Sequence, residues 1–192
     1  MSNIKKNNIW AIAGGKGGVG KSFFTSNLSV ELAQRGHTVV LIDADFGGPN
    51  LHTFFGLNSS KISISDFVKS AQLQLDDILL PTGFPNLKLA SGAHDVLDMA
   101  NPNLIQQNKL RKAIRTLKAD YILIDLGAGT SYYTLDLFLM ADKSVLVTAP
   151  EPTSVENTYR FIKSAIYRKL KSVIRHPEVK AYLEKVTDSK NE

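Results

Sequence analysis

The sequence predicts an α/β fold, a doubly wound and mostly parallel sheet flanked by helices in three layers. Short apolar runs alternate with segments of helical periodicity along the chain. Such alternation is typical of strand–helix–strand units with right-handed crossovers. Glycine and aspartate motifs follow the apolar runs, at the sheet edge where such folds bind ligands. With 192 residues the chain suffices for one domain with a sizeable core, and we assign residues 1–192 to a single domain.

Each element is predicted from its local pattern. Apolar runs of strand length predict five strands, at residues 9–13, 38–42, 87–90, 121–124 and 144–148. Helical periodicity predicts helices from Ser22 to Gly36 and at residues 103–118, 130–140 and 153–174, with a short one near 65–70. Asn103 or Asn101 is the expected cap of the 103–118 helix, and Pro102 suits a helix start.

Composition narrows the class of protein. Hydrophobic residues make up 43% and charged residues 21% of the chain, which is ordinary for a globular domain. The polar start, residues 1–8, precedes only five apolar residues, so we expect no signal peptide, and no apolar run reaches the length of a membrane span. Zero cysteines exclude thiol catalysis, disulfides and cysteine-ligated clusters, and fit a reducing compartment. We therefore expect a cytoplasmic protein.

The net charge of +5 is unevenly distributed, since six basic residues fall between positions 160 and 175. Such a run is typical of a solvated helix face. It also suits an anionic partner, either nucleic acid or acidic lipid headgroups. Both interpretations remain open at this point.

Residues 14–22 read Gly-Gly-Lys-Gly-Gly-Val-Gly-Lys-Ser and match the frame of a phosphate-binding loop through Gly15, Gly20, Lys21 and Ser22. The glycines permit a tight turn whose N–H groups point at phosphate oxygens. Lys21 supplies a charge near the outer phosphates, and the Ser22 hydroxyl suits Mg²⁺. A strand precedes the loop and a helix follows, so the loop lies at a helix N-terminus that favours anions. The predicted nucleotide contacts within it are Gly15, Lys16, Gly17, Gly18, Val19, Gly20, Lys21 and Ser22.

Acidic residues follow two of the predicted strands. Asp125 ends the strand 121–124 in the pattern of a magnesium-supporting aspartate, although a strand-end aspartate also caps helices. Gly129, in the Gly-Ala-Gly that follows, lets the backbone approach a terminal phosphate. Asp43 and Asp45 lie two apart, so both carboxylates face one side, where one supports Mg²⁺ and the other orients water. A solvated turn explains the same Asp-Ala-Asp segment equally well.

Together these motifs resemble the deviant Walker A ATPases of the MinD/ParA type, which are P-loop NTPases. The resemblance rests on Lys16 within Lys-Gly-Gly-Val-Gly-Lys-Ser, on residues 43–50, on residues 124–129 and on residues 145–154. The wording Asp-Leu-Gly-Ala-Gly and Pro-Glu-Pro-Thr-Ser looks most like the FlhG/FleN (YlxH-like) regulators of flagellar number. The resemblance covers residues 9–161.

The resemblance implies ATP and Mg²⁺ as cofactors and a role for each matched residue. Lys21 binds the β- and γ-phosphates, and Lys16 reaches across an ATP-sandwiched dimer to the partner's phosphates. Asp45 positions the attacking water, and Asn50 belongs to an ATP-sensing switch. The implied metal shell consists of Ser22, Asp43 and Asp125.

The function implied by this resemblance is a slow ATPase switch. It dimerises with ATP and controls the position or number of a flagellum or division site, with flagellar or division regulators as partners and a peripheral place at the membrane or cell pole. The alternative is a ParA-like DNA-partition ATPase with non-specific DNA binding. Iron–sulfur carriers that use this loop need cysteines, so we set that class aside. A small-molecule kinase or amidoligase would need substrate residues that the sequence does not identify.

The sequence departs from the family pattern at both ends. Eight residues precede the first predicted strand, where flagellar regulators usually carry an activating helix. No strand ending in the adenine-recognising Asn is found after position 174, so the family's C-terminal portion is expected to be missing, together with any membrane anchor. The basic and apolar stretch 159–174 is expected to be a helix after a core strand and not a tail.

Overall fold

The computed structural model describes residues 8–58, 62–92 and 102–174. Its sheet has six strands in the order β3-β4-β2-β5-β1-β6. The strands are β1 (Asn8–Ala13), β2 (Val39–Ala44), β3 (Leu79–Pro81), β4 (Leu87–Ala90), β5 (Tyr121–Leu126) and β6 (Lys143–Leu146). All neighbours pair in parallel except β3, which runs antiparallel to β4. The predicted doubly wound, mostly parallel sheet is confirmed, and all five predicted strands are present.

The helices cover both faces of this sheet. They are α1 (Lys21–Gln34), α2 (Leu51–Phe54), α3 (Ile64–Lys69), α4 (Leu104–Thr116), α5 (Tyr132–Met140) and α6 (Pro152–Val173), with a 3₁₀ turn at Leu75–Ile78. Every predicted helix is confirmed to within two residues at either end, including the short helix near 65–70. The sequence patterns missed α2, the 3₁₀ turn and β3, because each is three or four residues long and shows no periodicity.

The N-terminus of α4 is defined by the residues next to it in the sequence. The side chain of Asn103 accepts hydrogen bonds from the N–H groups of Ile105 and Gln106, and the Gln106 side chain accepts from the Asn103 N–H. This reciprocal capping satisfies N–H groups that the first helical turn leaves unpaired. Asn103 is therefore the cap, while Asn101, the other candidate, lies outside the described residues.

Two apolar cores lie on opposite faces of the sheet. Along β1, Ile9, Ala11 and Ala13 belong to the core under α3, α4, α5 and α6, whereas Ile12 belongs to the core under α1 and α2. This alternation is the period of two expected for a strand buried on both faces. Strands β2 and β5 are buried throughout, apart from the first residue of β5. They hold their carboxyl ends rigidly in the middle of the sheet.

Strand β6 differs from the other parallel strands because it lies at the edge of the sheet that the described residues form. Lys143 and Ser144 are exposed, and Val145 and Leu146 are only half-buried. For the described residues, the expectation that α6 follows a core strand is therefore wrong: among them only β1 pairs with β6, so α6 follows a strand at the edge of the described sheet. None of the helices in the described ranges is long and apolar enough to cross a membrane.

Candidate nucleotide site

The glycine loop joins β1 to α1 and has the backbone that its glycines permit. Gly18 and Gly20 have φ angles of 76° and 95°, a left-handed conformation that other residues rarely adopt. Gly15 is required for a different reason, since a Cβ there would lie 2.3 Å from the carbonyl carbon of Asn157. The loop therefore packs directly against the backbone of the first turns of α6.

Lys21 opens α1 and is buried, with 7% of its surface exposed. Its aliphatic chain runs past Gly14, where an added Cβ would lie 3.1 Å from the Lys21 Cδ. Its ammonium group acts on the acidic cluster, because its charge lowers the pKa of Asp125. The close approach of its aliphatic chain to Gly14 therefore positions the Lys21 side chain within its own loop.

Ser22 and Asp125 are in direct contact. The Ser22 hydroxyl donates a 2.6 Å hydrogen bond to Asp125 Oδ2, and the Thr25 hydroxyl, one turn further along α1, lies 3.2 Å from Oδ1. Asp125 is nearly fully buried, and this burial raises the pKa of its carboxyl group despite both hydroxyl hydrogen bonds and the charge of Lys21. The first turn of α1 therefore encloses the carboxylate at the end of β5.

Asp43 lies beside Asp125 on the neighbouring strand, in register with it. Its Oδ1 accepts from the Asp45 N–H at 3.2 Å, and its Oδ2 accepts from the Leu51 N–H at 3.1 Å. Burial, with a smaller contribution from the negative charge of Asp125, outweighs these two hydrogen bonds and raises the pKa of Asp43 from 3.8 to about 7. The solvated-turn interpretation is wrong for Asp43, which is 1% exposed.

Asp45 follows β2 and is partly exposed. Its Oδ1 accepts from the Gly47 N–H at 3.3 Å and would lie 3.0 Å from a Cβ added to Gly127. The negative charge of Asp45 contributes to the raised pKa of both Asp43 and Asp125, so the three carboxylates form one cluster. Because Gly127 has no side chain, the Asp45 carboxylate can lie against its backbone.

The donor set fits Mg²⁺ that is shared with phosphate oxygens. In the described ranges, no group of three acidic or histidine side chains is arranged to hold a metal ion alone. Mg²⁺ is usually bound through one or two carboxylates together with substrate phosphates and waters. The Ser22 hydroxyl and Asp125, with Asp43 on the neighbouring strand, offer such a partial set, and a bound cation would favour the ionised form of the two buried carboxyl groups.

Lys16 lies at the other end of the loop and is exposed. Its Nζ is 3.2 Å from Glu151 Oε2 and 3.5 Å from Thr153 Oγ1, both at the start of α6. Lys16 therefore contacts the segment after β6, whereas Lys21 lies beside the acidic cluster.

Two further predicted residues lie at loop positions. Asn50 is exposed at the N-terminus of α2, where its carbonyl accepts from the Thr53 N–H. Gly129 has a φ of 94°, which only glycine adopts readily. The structure brings together Lys21, Ser22, Asp43, Asp45 and Asp125, and it leaves Lys16 and Asn50 at the rim.

Three residues of the site were missed. Thr25 was within reach of sequence reasoning, because it lies three and four positions after Ser22 and Lys21 on one helix face. Glu151 and Thr153 belong to the Pro-Glu-Pro-Thr-Ser motif, but their contact with Lys16, 135 and 137 positions away, had no local signal.

A cavity of about 600 Å³ lies elsewhere, at the amino ends of β2 and β4, and is lined among others by Thr38, Phe84 and Lys118. It is remote from the glycine loop and its aspartates. The candidate site is therefore the carboxyl-end cluster, where the charged side chains converge, and not this cavity.

Comparison with known proteins agrees with this geometry. The family model described as ParA, a NUBPL iron-transfer P-loop NTPase, matches residues 5–174. The septum site-determining protein MinD of Synechocystis is 34% identical over 81% of this chain and 58% of its own length. The antiactivator FleN of Pseudomonas aeruginosa is 31% identical over 85% of this chain and also 58% of its own.

The fold comparison gives the same result. The structure of MinD from Pyrococcus horikoshii, complexed with Mg-ADP, matches with a TM-score of 0.71 and 31% identity, covering 82% of this chain and 64% of that one. The chain spans about half the length of the curated relatives that it matches, from 45% to 58%. The resemblance noted from the motifs is confirmed, and the chain belongs to the ParA family of P-loop NTPases.

Proposed function

We propose that this chain is the nucleotide-binding part of an ATP-driven switch that controls the position or number of a cellular structure, such as a division site or flagellum. The observation that carries the proposal is the contact of the phosphate-loop serine, Ser22, with Asp125, beside the two aspartates that follow β2. The relatives named for septum and flagellar control support the biological role.

The roles of the residues follow from their positions. The loop N–H groups and the buried Lys21 bind the phosphates, and Ser22 and Asp125 hold Mg²⁺ with support from Asp43. When bound, Mg²⁺ neutralises charge on the phosphate oxygens. Asp45 is partly exposed beside Gly127, so it is placed to accept a hydrogen bond from an attacking water and to orient it.

The contacts of the loop that carries Asp45 agree with slow ATP hydrolysis. Asp45 also accepts from the N–H of Gly47 in its own loop, so orienting water requires that loop to settle around the terminal phosphate. Phe46 anchors the loop through its ring contact with Tyr133 of α5, with centroids 5.3 Å apart. A switch that holds ATP for long periods needs such a step before hydrolysis.

Lys16 and its exposed position support ATP-dependent self-association. An exposed lysine at the rim of the site is available to a second copy, in which it would act as a charge supplied in trans. We include homodimerisation with ATP in the proposed function, and a cytoplasmic place with peripheral contact at the membrane or cell pole.

The proposed switch is tested by measuring nucleotide hydrolysis and self-association in the presence of Mg²⁺, with ATP and with ADP. We expect hydrolysis by the wild-type chain and a larger sedimentation coefficient with ATP than with ADP. Asp45→Ala should still bind ATP but hydrolyse it about 100-fold more slowly, so that the associated form persists. Asp76→Ala, which removes an exposed acid far from the loop, is the matched control and should behave as wild type. Unchanged turnover in Asp45→Ala would remove Asp45 from the mechanism.

The DNA-partition alternative makes a different prediction. If the dimer grips DNA through basic residues of α6, DNA retention will require ATP and fall steeply with salt. Two of those residues already have acidic partners within the chain, since Arg168 forms two hydrogen bonds to Asp136 and Arg160 pairs with Glu156, so part of the positive charge of α6 is neutralised. We therefore expect no ATP-dependent DNA retention at physiological salt, and its appearance would favour the partition role.

The iron-transfer description of the matching family model does not extend to this chain. Its 192 residues contain no cysteine, so they offer no thiolate ligand for a cluster.

A further inference from the structure

The cavity of about 600 Å³ at the amino ends of β2 and β4 is separate from the nucleotide site, and we call it the amino-end cavity. Strand β2 runs from Val39, which lines this cavity, to Ala44, beside the acidic cluster. At about 3.3 Å per residue, the two ends of the strand lie about 17 Å apart. Sites for small molecules usually enclose about 300–1,000 Å³. The amino-end cavity therefore has the size of a ligand site, and the proposed nucleotide switch does not use it.

One wall of the amino-end cavity is the loop between β3 and β4, and hydrogen bonds fix its shape. The Thr82 hydroxyl accepts from the Phe84 N–H at 3.2 Å and donates to the Leu87 carbonyl at 3.0 Å. Asn86 has a φ of 66°, a left-handed conformation that asparagine adopts more readily than most residues. The Asn86 carbonyl accepts from the Val39 N–H at 2.8 Å. The loop is therefore tied both to itself and to the start of β2.

A second wall is formed by the segment that joins α4 to β5 and by the residue before β2. The Thr38 N–H and hydroxyl both donate to Asp120 Oδ2, at 2.9 and 3.0 Å, and the Asp120 N–H donates to the Thr38 carbonyl at 2.9 Å. Lys118 and Ala119, which directly precede Asp120, line the cavity together with Thr38. Because contacts within the chain fix both walls, the cavity is preformed, as most small-molecule sites are.

Apolar groups make up part of the lining, among them Leu79, Pro81, Phe84 and Pro85. The Phe84 ring contacts the ring of Phe55 edge to face, with centroids 6.2 Å apart. Phe84 nevertheless remains 36% exposed. An aromatic ring that is held by one neighbour and is still accessible offers an apolar surface to a flat ligand.

The charged groups of the lining carry an excess of positive charge. Lys88, Lys118 and Asp76 all line the cavity, and all three are exposed. Within the described ranges, neither lysine side chain forms an ion pair or a hydrogen bond, with Asp76 or with any other residue. Two ammonium groups and one carboxylate together attract a negatively charged ligand.

We propose that the amino-end cavity binds a small amphipathic anion, a molecule with a flat apolar body and one carboxylate, sulfonate or phosphate group. The apolar body packs on Phe84 and the neighbouring prolines, and the acid group lies near Lys88 and Lys118. The carboxylate of Asp76 disfavours ligands with several negative charges, and an uncharged ligand leaves both lysines without a partner. A ligand with a single acid group suits the whole lining.

Two dyes with the same aromatic skeleton test this class of ligand. Anilinonaphthalene sulfonate carries one acid group and binds apolar sites with a rise in fluorescence, and phenylnaphthylamine is its uncharged parent. We expect saturable binding of the sulfonate to the full wild-type chain. Saturating Mg-ATP should not displace the dye, because the glycine loop and its aspartates lie away from the amino ends of β2 and β4.

Substitution of the lysines isolates the role of charge. Lys88→Met combined with Lys118→Met should weaken binding of the sulfonate at least about tenfold and change affinity for the uncharged dye by less than about twofold. The matched control combines Lys112→Met with Lys169→Met, which removes two exposed lysines outside the cavity and lowers the net charge equally. It should leave the affinity for both dyes unchanged.

Two further variants test the apolar contact and the acid. Phe84→Ser should weaken binding of both dyes by about fivefold, whereas Phe54→Ser, which changes an exposed phenylalanine outside the cavity, should affect neither. Asp76→Asn removes the carboxylate from the lining and should tighten binding of the sulfonate by about twofold. Thermal unfolding of each variant checks that the fold is retained.

Three results would overturn the proposal. Displacement of the sulfonate by Mg-ATP would place the dye in the nucleotide site. Equal losses in the two double lysine variants would mean that the dye responds to net charge and not to the cavity. Absence of saturable binding, or binding that Phe84→Ser leaves unchanged, would mean that the cavity does not hold a ligand of this class.

Discussion

The two lysines of one loop have opposite environments. Lys21 is buried beside Asp125, whereas Lys16 is exposed and contacts Glu151 and Thr153 at the start of α6. An exposed ion pair contributes at most about 1 kcal/mol and exchanges readily. In the proposed function, the phosphate and metal contacts are therefore made by buried groups, whereas Lys16 is free to change partners. This division suits a switch whose binding site is permanent and whose coupling element is mobile.

The largest effect of a substitution is expected at Lys21, on the affinity for ATP. Lys21→Ala removes a buried charge aimed at phosphate and should weaken ATP binding at least about 1,000-fold, or roughly 4 kcal/mol. Lys16→Ala, in the same loop, is the matched control and should change monomer affinity less than about threefold. Calorimetric titration with Mg-ATP measures both. Similar losses in the two variants would remove the contrast between the lysines.

The buried acidic cluster should make stability depend on pH. Because the pKa of Asp43 rises from 3.8 when unfolded to about 7 in the fold, the native state binds more protons between these values. The free energy of unfolding of the nucleotide-free chain therefore falls as pH rises from about 4 to 8. Each pKa unit corresponds to about 1.4 kcal/mol, so the loss from Asp43 is at most about 4 kcal/mol.

Asp43→Asn isolates this contribution. Chemical unfolding at pH 4.5 and pH 8 should show a smaller drop in stability for Asp43→Asn than for the wild type, by a few kcal/mol. Asp76→Asn, which changes an exposed acid, should keep the wild-type drop. An equal pH dependence in all three proteins would show that Asp43 is ionised at little cost.

A smaller effect, on the stability of the fold, is expected at Tyr133, which anchors the loop that carries Asp45. The hydroxyl of Tyr133 is buried without a hydrogen-bond partner among the described residues, and its ring contacts Phe46. Tyr133→Phe keeps the ring contact and removes the unpaired hydroxyl, so it should stabilise the chain by about 1 kcal/mol. Thermal unfolding measures this change, and destabilisation would mean that the hydroxyl has a partner.

The smallest effect is expected at the surface pair of Lys16. Glu151→Gln breaks the ion pair and should change the free energy of unfolding by less than about 0.5 kcal/mol. If Lys16 acts on a partner's phosphates, its release should leave ATP-dependent self-association intact, while Lys16→Ala should reduce it. Light scattering with ATP compares the two variants, and equal losses would indicate that the pair itself is required.

Local patterns predicted much of the fold and part of the site. The glycine loop, the strands that end near Asp43 and Asp125, and the cap at Asn103 each depend on neighbouring residues, so sequence reasoning reached them. The contact of Gly15 with Asn157 and the pair of Lys16 with Glu151 join positions more than 130 residues apart. No periodicity encodes such contacts. The position of β6 in the sheet likewise depends on whether another strand pairs with its second side. The residues of β6 itself do not specify this.

The most direct test of the shared metal and nucleotide site is the Mg²⁺ dependence of ATP affinity in wild type and Asp125→Asn. Equilibrium titration with ATP in Mg²⁺ and in EDTA should show markedly tighter binding with Mg²⁺ for the wild type, because Ser22 and Asp125, which are in direct contact, are the proposed metal ligands. In Asp125→Asn this gain should disappear, while affinity in EDTA stays close to wild type. ATP affinity independent of Mg²⁺ in the wild type, or an undiminished gain in Asp125→Asn, would contradict the account.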